Sequence, residues 1–112
     1  MTRLEWIELL SRNVNPESEN LRYRKQARYA PDFGMATLTL EEEGRAVTVS
    51  GRLLNISAKG FMAKIHRRVD PYTALWAELV VGDETATVIG YVKHATSTVG
   101  GYKLGVALKF PD

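Results

Sequence analysis

The sequence predicts a mainly β protein with one short N-terminal helix. Three observations predict it. Apolar and polar residues alternate with period two from Phe33 onward, glycine-rich pairs punctuate the alternating runs, and helical periodicity is confined to the extreme N-terminus.

The helical stretch comes first. Thr2 and Glu5 have capping-box spacing, in which the hydroxyl satisfies one orphan amide and the carboxylate reaches back to another. Trp6, Ile7, Leu9 and Leu10 then form a broad apolar face up to about Ser11, with Asn13 as a stop signal. A helix of roughly 12 residues is marginal alone in water, so it has to pack on something. The expected surface is its own domain. The other option is a partner protein that uses exposed Trp6 and Leu9. "NVNPESEN" follows, polar and carrying Pro16, and reads as a linker. Residues 1–20 are therefore assigned to an amphipathic helix and linker, and 21–112 to a β domain.

Within that domain Ala36, Leu38 and Leu40 alternate with Thr37, Thr39 and Glu41. Beyond the turn-like "EEEGR", Val47, Val49, Gly51 and Leu53 continue the alternation. "GFMAKIH", "TALWAELVV", "TATVIGYVKHA" and "GYKLGVALKF" complete the strands, with Gly82-Asp83 and Gly100-Gly101 as tight hairpins. About six antiparallel strands in some 80 residues point to a small closed barrel or a sandwich.

Composition bounds the function. The 112 residues are 45% hydrophobic and 25% charged, which is ordinary globular composition. Cysteine is absent, which excludes disulfides, thiolate zinc sites and cysteine nucleophiles. No apolar run is long enough for a membrane-spanning helix and the N-terminus lacks the shape of a secretory signal, so a cytoplasmic location is expected. His66 and His94 stand alone, and no H-E-x-x-H, P-loop or Rossmann glycine pattern occurs. Ser57, His66 and Asp70 make a nominal triad without supporting context. Neither an enzyme nor a cofactor or metal is expected.

Net charge is only +2, but it is unevenly spread. Residues 1–20 hold two bases against four acids, whereas residues 21–28 hold Arg22, Arg24, Lys25 and Arg28 with no acid. Like charges this close repel, so the segment "RYRKQAR" needs solvent or an anion. Tyr23 within it can stack on a base or pack on the barrel. A second basic group, "KIHRR" at 64–68, reads as a solvated hairpin end, with the border of a ligand site as the alternative.

The stretch "NISAKG" adds a second cluster. Asn55 and Ser57 are two apart, which puts their side chains on the same side of an extended strand end. Gly60 permits a positive φ or close approach by another backbone. Alone, this is an ordinary strand end turning into a loop, with Asn and Ser bonding local amides.

Together, the two clusters carry more. Arg24 and Arg28 give R-x-x-x-R; Asn55, Ser57 and Gly60 give [D/N]-x-S-x-x-G; 27 positions separate Arg28 from Asn55. This combination resembles the PilZ family, bacterial receptor domains for the second messenger cyclic di-GMP, over roughly Leu21 to Phe110. "YKLGVALKF" is similar to the family's closing strand at Gly105-Val106, although Phe110 falls later than the usual position. The resemblance implies a six-stranded antiparallel β-barrel preceded by a ligand-binding loop. Arg24 and Arg28 would clamp guanine and phosphate groups, Asn55 would read a guanine edge and Ser57 would bond base or phosphate. Gly60 would shape the turn and leave room for the ligand, with Arg22, Tyr23 and Lys25 as auxiliaries.

It further implies a protein partner for the N-terminal segment and an output such as motility or biofilm regulation. Two alternatives remain open: an adaptor of the same fold that binds a protein and no nucleotide, and a small barrel for single-stranded nucleic acid. The second is disfavoured by scattered acids such as Glu41, Glu42, Glu43, Asp83 and Glu84.

Overall fold

The computed structural model describes residues 1–13, 28–29 and 34–111. One helix, α1 (Arg3–Asn13), precedes the strands β1 (Arg28–Tyr29), β2 (Gly34–Glu42), β3 (Arg45–Ser57), β4 (Gly60–Ile65), β5 (Ala74–Val81), β6 (Glu84–Thr98) and β7 (Gly101–Lys109). The sheet order is β1-β3-β2-β5-β6-β7-β4, and an additional β3–β4 pairing joins its ends. Strands β2 to β7 therefore form a closed six-stranded antiparallel barrel. Closure removes the exposed edges that an open sheet of this size would present.

Local chemistry sets the hairpins. Glu42 pairs with Arg45 across Glu43 and Gly44, whose φ angles of 51° and 77° are both left-handed. That is the twist a two-residue hairpin needs to match its flanking strands. Two-residue loops likewise join β3 to β4, β5 to β6 and β6 to β7. The β6–β7 ladder runs on to Thr98 and Gly101, so β6 is longer than its apolar alternation suggests.

The interior is filled by the inward residues that the alternation predicts. Ala36, Leu38 and Leu40 of β2 and Ala77, Leu79 and Val81 of β5 are buried, as are Val88 and Val92 of β6 and Leu104 of β7.

Helix α1 closes one end of this barrel. Its capping box forms as expected: the Thr2 amide donates to Glu5 Oε1 at 2.9 Å and the Glu5 amide to Thr2 Oγ1 at 3.1 Å. Trp6, Leu9 and Leu10, spaced i, i+3, i+4, are buried in the common core. This corrects the partner-binding option: Trp6 is 0% exposed and Leu9 2%, so neither is free for another protein. Ile7 lies off that stripe and is exposed, as is Leu4 at 65%. Arg12 pairs with Glu84 at 2.8 Å where β6 begins, and the Arg3 guanidinium lies 5.0 Å from the centre of the Phe110 ring just past β7. Both anchors sit at the barrel end that also holds Ser57 and Gly60. No helix among the described residues is long and apolar enough to cross a membrane.

Trp6→Ala should destabilise the protein by about 3–5 kcal/mol in urea unfolding. Leu4→Ala should change stability by less than about 0.5 kcal/mol. Equal effects would show that α1 is not part of the core.

Candidate functional site

Strict alternation along β3 would carry Asn55 and Ser57 to the same face as Leu53, which is inside. A bulge between Leu53 and Asn55 prevents this. Leu53 and Ile56 both point into the core, at 2% and 0% exposure, while Asn55 and Ser57 are only half-buried on the outer face. Re-aiming side chains is the usual consequence of an extra residue in a strand. The two motif residues thus share one side, as their spacing predicts, and that side faces out of the barrel.

The hydrogen bonding of this pair is sparse. Asn55 Nδ2 lies 4.0 Å from Met62 Sδ, and Ser57 Oγ is 3.4 Å from the Gly60 carbonyl oxygen, the outer limit of a hydrogen bond. Neither side chain caps a local backbone amide among the described residues, so the plain strand-end reading leaves them largely unused.

Strand β1 brings the two sequence clusters together. Arg28 is the register partner of Ser57, and Tyr29 that of Ile56. Ser57 also pairs with Gly60 of β4, so β1 takes the opposite edge of β3, the one that β2 leaves after Arg52. The backbone of the second arginine in R-x-x-x-R therefore lies directly beside the serine of N-x-S-x-x-G, although 29 residues separate them in the chain. Arg22, Tyr23, Arg24 and Lys25 lie outside the described residues.

Gly60 meets the second of its two expected uses, close approach by another backbone. Its φ is not left-handed, and a Cβ there would overlap the Val106 carbonyl oxygen. The missing side chain makes room for β7, whose Ala107 is its register partner. "KIHRR" begins inside β4 with Lys64 and Ile65 and continues past its far end, about 17 Å along the strand from Ser57. There Arg67 pairs with Glu42 at 2.8 Å.

Sequence reasoning missed one participant. The Trp6 indole N–H donates to the Ser57 carbonyl oxygen at 2.7 Å, across 51 residues. A buried tryptophan needs a partner for its N–H, but nothing in the sequence says which carbonyl supplies it. Through this bond α1 rests on the residue where β1, β3 and β4 meet. Among the described residues no three His, Cys, Asp or Glu side chains gather as a metal site.

Comparison with known protein families and with curated proteins gave no match.

Asn55→Ala and Ser57→Ala should each leave the melting temperature within about 2 °C of the parent, since neither removes a well-formed bond. Gly60→Ala should cost at least about 2 kcal/mol in urea and speed amide exchange in β4 and β7. Large losses for Asn55→Ala and Ser57→Ala would mark them as structural residues.

Proposed function

We propose that the protein is a receptor for cyclic di-GMP and passes ligand occupancy to a protein partner through its N-terminal segment. The observation that carries this reading is the β1–β3 register, with Arg28 opposite Ser57. It supports a single site built from both motifs.

The chemistry suits the ligand. A guanine presents O6 and N7 as adjacent acceptors, and a guanidinium fork donates to both at once. Phosphodiester oxygens accept the same fork. Arg24 and Arg28 supply two forks, Asn55 supplies an amide that donates and accepts, and Ser57 a hydroxyl that does both. Arg22 and Lys25 add positive field, Tyr23 a surface for stacking. A ligand with two negative charges relieves the repulsion within "RYRKQAR", and each guanidinium contact contributes about 1–3 kcal/mol. Losing either arginine is therefore severe.

The Trp6–Ser57 bond gives the signal a route. Ligand that reshapes the end of β3 alters the carbonyl on which α1 rests, and Leu4 and Ile7 on the outer face of α1 offer a partner an apolar contact.

Arg24→Ala or Arg28→Ala should weaken cyclic di-GMP binding roughly 5- to 150-fold in calorimetry while leaving the fold intact. Full affinity in both variants removes the proposal. In a Trp76→Phe background, which leaves Trp6 as the sole tryptophan, saturation should change the emission spectrum. An unchanged spectrum argues against the route through α1.

A further inference from the structure

Ladder registers reveal a second feature beside the motif. Arg52 of β3 pairs with Lys64 of β4, Lys64 with Lys103 of β7, and Lys103 with Thr96 of β6. All face outward: Arg52 and Lys103 are exposed, Lys64 half-buried, and the neighbouring Leu53, Ala63 and Leu104 fill the core. Three cations thus stand abreast on three adjacent strands. Directly opposed side chains on a sheet lie about 4.5–5.5 Å apart at Cβ, where like charges destabilise the pairing. No carboxylate among the described residues pairs with any of them.

Among the described residues, strands β3, β4 and β7 carry no acid and β6 carries only Glu84 at its start. No Asp or Glu occurs from Gly44 to Val69, nor from Thr85 to Pro111, and these spans supply β3, β4, β7 and nearly all of β6. The next rung is Asn55, Met62, Gly105 and His94, and the one after it Ser57, Gly60, Ala107 and Tyr91. Successive rungs are about 7 Å apart. The cation row therefore borders a floor in which the His94 imidazole lies over Gly105 and small Gly60 and Ala107 follow, flanked by Asn55 and Ser57. The Lys64 ammonium leans toward the β6–β7 turn, 3.5 Å from where a Cβ on Gly100 would stand, and marks the lower border of that floor.

We infer that the Arg52–Lys64–Lys103 row is an anion seat that receives phosphodiester oxygens of a nucleotide lying across β3, β4 and β7. The inference rests on the receptor reading for the identity of the nucleotide, but the seat itself follows from the ladder and the missing acids. It gives unpaired cross-strand cations a counter-charge, and it extends the site beyond the two motifs.

The test compares two double variants of the full chain that lose equal charge. Arg52→Gln with Lys103→Gln empties the seat, whereas Arg45→Gln with Arg68→Gln removes two exposed cations toward the other barrel end. The first pair should weaken cyclic di-GMP binding at least about tenfold and the second less than about twofold, with melting temperatures unchanged. Equal loss in both pairs, or none in the first, overturns the seat even if Arg28→Ala abolishes binding. Should the parent protein bind no cyclic di-GMP, the receptor reading falls and inorganic pyrophosphate decides the seat. Amide shifts on β3, β4 and β7 that vanish in the first pair uphold it, and their absence overturns it.

Discussion

The bulge between Leu53 and Asn55 is the constraint on which the site depends. Upstream of it β3 is an ordinary barrel strand, zipped to β2 from Arg45 to Arg52. Downstream it has changed partners and turned its faces over. Leu53 and Ile56 both reach the core although they are three residues apart, which unbroken pleating forbids. The same irregularity puts an amide and a hydroxyl on the outside, where the β1 segment arrives. Without it, Asn55 and Ser57 would be polar groups in an apolar barrel, each costing a few kilocalories per mole.

Helix α1 is fixed by the same strand end. Its buried stripe is part of the barrel core, and the Trp6 indole N–H finds its acceptor on the Ser57 carbonyl. A single backbone unit thus pairs with β4, lies beside β1 and holds the helix. The outer face at Ser57 is therefore joined to α1 by a hydrogen bond and adjoins the core through buried Ile56. Among the described residues the opposite end of the barrel has no such convergence. There the Arg67–Glu42 ion pair and a surface groove of about 620 Å³ beside Trp76 and Ile89 stand apart from both motifs.

Much of this was legible in the sequence because it is local. The Thr2–Glu5 cap, the hairpins at Glu43-Gly44 and Gly82-Asp83 and the inward set of β2 depend on neighbours within a few residues, and each appears where expected. Features set by distant partners were not legible. Alternation through Val47, Val49, Gly51 and Leu53 gives no warning that the count shifts at the next residue. Packing of α1 on its own domain was the expected reading, but the barrel end that Trp6 and Leu9 meet was not legible. Gly60 was recognised as a position needing no side chain. That the obstruction is the Val106 carbonyl follows only from barrel closure.

The acid-free face of β3, β4 and β7 has the same character, being scattered along the chain and assembled only by register. It lies beside the motif residues, and under the proposed reading the two together receive the ligand. The most direct test is nuclear magnetic resonance of the labelled protein with cyclic di-GMP, read as intermolecular contacts between ligand protons and the side chains of Asn55, Ser57 and Met62. Contacts from the guanine and ribose protons to all three are the expected result. A saturated complex whose contacts fall elsewhere, or a protein that takes up no ligand, would contradict it.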